Sequence, residues 1–170
     1  MSKNPMRNVK VEKIVLNVGV GSERDKLDSA IGLLKRITDR EPIKTRSKKR
    51  IPTWGVRPGL AIGTKVTLRG KKGEELLKRL LEAVDFKLSE KSIGKTGSFS
   101  FGISEYIDIP GVKYDPNIGI IGLQVSVTLK RPGYRIKDRR IAQSKIPKSH
   151  LVNEDDAKEF LKNEYNVSFK

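Results

Sequence analysis

Apolar and polar residues alternate along VKVEKIVLNVGV, with Ile14, Leu16 and Val18 on one side and Lys13, Val15 and Asn17 on the other. A period of two that stops at glycine predicts a strand with one buried face. The period then lengthens. In SERDKLDSAIGLLKRITDR, Leu27, Ala30, Ile31, Leu34 and Ile37 recur at helical spacing, which predicts a helix laying one stripe on a core. Ser22 is placed to cap it, the acids that follow suit the positive end of the helix dipole, and Pro42 is expected to stop it.

The same two periods return further on. PIKTRS predicts a short edge strand. AIGTKVTLRG alternates, with Ile62, Thr64, Val66 and Leu68 against Gly63, Lys65, Thr67 and Arg69. GEELLKRLLEAVDF predicts a second amphipathic helix with Leu76, Leu77, Leu80, Leu81 and Val84 inward. SFSFGISEYIDI is strand-like, PGVKYDPNIGIIG is a turn-rich excursion, and LQVSVTLK sets Leu123, Val125, Val127 and Leu129 against Gln124, Ser126, Thr128 and Lys130. A proline-broken basic tail follows, then NEDDAKEFLKNEY, a helix capped by Asn153. Clean alternation implies a mainly antiparallel sheet with helices packed on one face, an α+β class. The other face carries Asn17, Lys65, Thr67, Arg69, Gln124, Ser126 and Thr128. Cations, amides and hydroxyls of this kind suit phosphate and ribose, although an ordinary solvated face carries the same residue types.

Charge separates these two readings. The chain has 170 residues and a formal net charge of +16. Residues 42–73 hold ten basic residues and no acid, residues 130–150 hold eight and one acid (Asp138), and the remaining 117 residues sum to −1. An excess confined to two segments marks a polyanion footprint, where a generic surface would mix its signs. The first basic segment centres on KKRIPTWGVRPG, an irregular loop with Lys48, Lys49, Arg50 and Arg57 beside the single tryptophan, Trp54. Trp54 either stacks on a base or folds back onto the core.

Other chemistries find few parts. There is no cysteine and one histidine, His150, so thiolate metal sites and most nucleophilic arrangements lack their components. NVGVGSERDK places Gly19 and Gly21 between a strand and a helix but lacks the third glycine of a dinucleotide loop, and Glu23 and Asp25 would repel phosphate. A tight turn is the better reading. Glu74–Glu75 and the acids at 154–156 open predicted helices, where the macrodipole accounts for them. A carboxylate-and-magnesium RNA-processing nuclease is kept as the alternative function. Another class, a module docking on acidic membranes, would need a basic amphipathic helix, whereas these cations fall on loops and strands. No apolar run approaches the ~20 residues of a membrane span, and the first ten residues have no apolar leader core, so a soluble intracellular protein is expected.

The segments NPMR, EKIVLNVGVG, LLKRITDREPIKTRSKKRI, GTKVTLRG and GSFSFGISEYIDIPGVKYDPNIGIIGLQVSVTLKRPGYRI together resemble the ribosomal L-five family, the fifth protein of the large ribosomal subunit, in its archaeal and eukaryotic form. The resemblance spans nearly the whole chain, with 1–131 as the RNA-binding core and 132–170 as a basic tail and carboxyl-terminal helix of the same domain. It implies a curved antiparallel sheet and no enzymatic activity, cofactor or metal. The implied partners are 5S rRNA, large-subunit rRNA, other proteins of the central protuberance, P-site tRNA and a small-subunit head protein at an intersubunit bridge. The implied place is the cytoplasmic ribosome, away from membranes. The expected 5S rRNA contacts are Asn17, Arg40, Lys44, Lys65, Thr67, Arg69 and Ser126. The tRNA-facing loop, 46–59, offers Arg46, Lys48, Lys49, Arg50, Trp54 and Arg57, and Arg131, Arg135, Arg139 and Arg140 are further RNA contacts. Two positions depart from the family pattern. Thr38-Asp39-Arg40 stands where the family has Thr/Ser-Gly-Gln, and Gln124 stands where it has an acid.

Overall fold

The alternation at the amino end becomes β1, Lys10–Gly19, and the helical stripe after it becomes α1, Arg24–Thr38, in a computed structural model that describes residues 4–170. The first three residues of the segment read for a leader therefore lie outside the described ones. The order continues through β2 (Ile43–Arg46), β3 (Ala61–Leu68), α2 (Lys71–Glu82), β4 (Lys87–Leu88), β5 (Phe99–Ile103), β6 (Leu123–Lys130), α3 (Glu154–Tyr165) and β7 (Ser168–Phe169).

Five strands make one antiparallel sheet in the order β2-β3-β1-β6-β5. It is open, with β2 and β5 at its edges, so PIKTRS is an edge strand as expected. The inward residues the alternation predicted in β1 and β6, with Val66 and Leu68 of β3, join Phe99 and Ile103 of β5 in a single core, while Ile62, expected beside them, is only half-buried and Thr64 is buried outside that apolar cluster. Helices α1, α2 and α3 bury Leu34, Leu77, Leu80 and Leu161 into that same core, which leaves the other face of the sheet uncovered. At about 25 cal/mol per Å² of apolar surface, each such leucine contributes ~1.5–3 kcal/mol to holding a helix on the sheet.

Several local expectations need correction. Helix α1 begins one residue beyond Glu23, which makes no side-chain cap, so Ser22 is not its N-cap. Leu33 joins the buried stripe and Ile31 is only half-buried. The helix stops well before Pro42, at Asp39, whose backbone is left-handed with φ 51° and whose N–H donates to the Lys35 carbonyl at 2.8 Å. This is the position where the family pattern has glycine, the residue with no steric cost in that conformation. Helix α2 starts at Lys71, earlier than its leucines suggested, and leaves Val84 beyond its end. The strand-like SFSFGISEYIDI is β5 followed by a 3-10 turn at Tyr106–Asp108. The small parallel pair β4·β7 was not predicted; strands of two residues leave no periodicity to read.

The carboxyl-terminal helix is where it was expected. Asn153 precedes it, and the Asn153 N–H donates to Asp156 Oδ2 at 3.0 Å. Asp156 also holds Arg131, Nη2 to Oδ1 at 2.8 Å, while Arg131 Nη1 donates to the Leu151 carbonyl at 3.2 Å. Arg131 is only 8% exposed. It therefore fastens the tail to the sheet, with its guanidinium largely inside rather than on the open surface where an RNA contact was expected. Tyr165 is the last residue of the helix and is buried. Burial, then the Glu74 and Glu164 carboxylates, push its hydroxyl up to about 12.

Candidate nucleic-acid interface

Strand register converts the uncovered face into rows. Ile43, Lys65, Asn17, Gln124 and Gly102 stand side by side across all five strands. The next row is Thr67, Val15, Ser126 and Ser100, and the third begins with Lys13 and Thr128. Neighbouring strands lie ~4.8 Å apart, so the five-residue row is roughly 19 Å long. No row position is acidic. Gln124 keeps this so: the acid of the family pattern would have stood next to Asn17. Arg69 follows β3 in the same phase and is exposed.

The 46–59 loop is an arm built by its own backbone. Beyond the Arg46–Ala61 pair, the Ser47 N–H donates to the Leu60 carbonyl at 2.8 Å and the Gly59 N–H to the Ser47 carbonyl at 2.9 Å. Further out, Ile51 and Val56 exchange bonds of 2.9 and 3.1 Å. The tip is a 3-10 turn at Pro52–Trp54, closed by Gly55 with φ 63°. Val56 is the buried residue of the arm, and Arg46, Lys48, Lys49, Arg50 and Arg57 are exposed. None of these five cations has an ion-pair partner among the described residues. Trp54 is 71% exposed at the tip. The reading in which it folds onto the core is therefore excluded.

The second basic segment forms a compact knob. Tyr134 is buried, its hydroxyl accepting from the Val152 N–H at 2.9 Å and donating to the His150 carbonyl at 3.2 Å. Lys137 Nζ lies 5.3 Å from the Tyr134 ring centre. Arg135, Arg139 and Arg140 are exposed around it, and the Arg139 Nε donates to the Ala142 carbonyl at 2.7 Å. His150 is part of this scaffold, with Nε2 at 2.9 Å from the Pro132 carbonyl.

The structure thus brings Asn17, Lys65, Thr67, Arg69 and Ser126 onto one face and sets the arm at its edge. Two expected residues stand apart. Lys44 pairs in register with Thr64, on the helix-covered side, and its Nζ is 3.6 Å from Asp28 of α1. Arg40 is exposed in the turn between α1 and β2. Sequence reading missed Ser100 and a depression of about 330 Å³ beside it, lined by Lys91, Ser92, Ser98, Ser126 and Thr128 among others. The alternation in SFSFGI, extended to its serines, was the available signal. Among the described residues no three carboxylates or imidazoles gather to hold a metal ion, and no helix is long and apolar enough to cross a membrane.

A family described as ribosomal protein L5 matches residues 4–57, and one described as the ribosomal L5P family C-terminus matches residues 61–169. The chain belongs to the ribosomal protein L5 family. The resemblance read from the motifs holds along both segments of the chain, and membership makes it a ribosomal structural protein, not an enzyme. Archaeal relatives agree. The large ribosomal subunit protein uL5 of Nanoarchaeum equitans is 51% identical over 97% of this chain and 98% of its own length. Those of Sulfurisphaera tokodaii and Methanospirillum hungatei are 46% and 45% identical, over 97% and 96% of this chain and 94% and 98% of theirs.

Proposed function

We propose that this chain, a structural constituent of the large subunit of the cytoplasmic ribosome, binds 5S rRNA on its open sheet face and helps attach it to large-subunit rRNA in the central protuberance. The arm at 46–59 reaches P-site tRNA, and the protein joins an intersubunit bridge to a small-subunit head protein and touches other central-protuberance proteins. The observation that carries this reading is the acid-free row Lys65–Asn17–Gln124 with the hydroxyls of Thr67, Ser126 and Ser100 beside it. Lysine supplies charge to phosphates, while amides and hydroxyls bond phosphate oxygens or the ribose 2′-OH. Folded RNA is gripped by its shape and backbone, which needs this mixture more than base-reading side chains.

Asn17→Ala and Thr67→Ala should each weaken binding of purified protein to 5S rRNA by about 1–3 kcal/mol, because each leaves a buried polar group of the RNA unpaired. Filter binding at fixed salt measures it. Wild-type affinity in both variants would remove this face from the contact.

A further inference from the structure

Glu12 is an acid set against the basic surface. Glu12 lies at the β-bulge where the β1–β6 register shifts between Val11 and Lys13. The bulge displaces its side chain from the regular alternation. Its Oε1 is 3.9 Å from Arg69 Nη1 and its Oε2 is 3.9 Å from Lys137 Nζ. Among the described residues it is the one carboxylate that touches both basic segments of the chain. The carboxylate is recessed, with its side chain 12% exposed, while those of Arg69 and Lys137 are 61% and 39% exposed. Both cations therefore stay open to a ligand while the acid sits beneath them. Lys137 Nζ also lies 5.3 Å from the centre of the Tyr134 ring.

We propose that Glu12 is a specificity-determining residue for RNA: it holds Arg69 and Lys137 as two separate phosphate contacts and repels any RNA backbone that passes between them. Discrimination commonly needs such a repulsive element beside the attractive ones. A surface built only to attract phosphate would gain from a neutral residue here, since a carboxylate lowers the local potential for every polyanion. A recessed acid is tolerable only to an RNA whose phosphates avoid it, and a regular duplex slides over a basic surface in many registers that do not.

This rests on the 5S rRNA reading, and the test separates the two. Affinities of full-length wild type and Glu12→Gln are measured for folded 5S rRNA and for a fully paired RNA duplex of similar length, across a salt series. The variant should bind the duplex several-fold more tightly, with its salt slope steeper by about 1, as one cation is released to a phosphate. Its affinity for 5S rRNA should stay level or fall. Adding Arg69→Ala should erase the duplex gain. Equal tightening on both RNAs, no change on either, or a gain that survives Arg69→Ala would overturn the role assigned to Glu12. A wild type with no preference for 5S rRNA over the duplex would instead sink the functional reading. Should Glu12→Gln melt early, Glu12→Asp carries the test: it retains the charge, so the duplex must stay as weakly bound as to wild type, and tightening would count against the proposal.

Discussion

Arg131 illustrates how a charge at a single position serves the fold. It belongs to a basic segment, yet its guanidinium is buried between Asp156 and the Leu151 carbonyl. Removing one member of a buried pair strands the other without compensation. Arg131→Ala should therefore cost about 3 kcal/mol in urea unfolding, with 5S rRNA affinity of the folded protein unchanged. Lost affinity at unchanged stability would return Arg131 to the RNA surface. Asp39 is the converse case, a polar residue occupying a left-handed C-cap where glycine is freer, with its N–H still bonded to Lys35. Asp and Asn bear this conformation better than other side chains because their short polar groups bond locally.

Among the elements, the arm joins stiffness to exposure. Two rungs of backbone bonds and a proline-led turn set its path, so little freedom is left to lose when a partner arrives. Because Trp54 touches no core, Trp54→Ala should shift thermal unfolding by no more than ~0.5 kcal/mol in stability, while weakening crosslinks to P-site tRNA in assembled ribosomes. A large drop in melting temperature would mean that the side chain supports the arm. Strands and helices were legible where periodicity ran long: β1, β3, β6, α1 and α2 were set by their apolar spacing, and α3 by its cap and acidic first turn. Ends were less legible because competing caps lie close together, as Ser22 and Glu23 do. The open face could be read from alternation, which is local. The inward turn of Arg131 and the placing of Lys44 beside α1 could not, because each depends on a partner far along the chain.

Taken as a whole, the molecule divides its charge by region. The sheet face, arm and knob are basic, while a groove of about 1020 Å³ between the amino-terminal segment and α3 mixes its signs, Glu74, Asp156, Glu159 and Glu164 standing with Arg7, Lys10 and Arg131. The +16 total is therefore a poor guide to any one surface. If ~6–10 phosphates are neutralised on 5S rRNA, affinity should fall by ~10³–10⁵ between 50 and 200 mM salt. A titration that barely responds to salt would show that shape and neutral hydrogen bonds dominate.

During synthesis β1 emerges before every other strand, and β3 soon covers one of its edges. The other edge waits for β6, which begins at Leu123, long after β3 ends at Leu68. At ~5–20 residues per second this leaves the central strand half-paired for roughly 3–11 s. Its free N–H and C=O groups, flanked by Ile14, Leu16 and Val18, are then a template for any other unfinished chain nearby. The half-made protein is thus more vulnerable than the finished one. An escort that lends a strand to that edge would protect it, whereas one that masks only the cations would not.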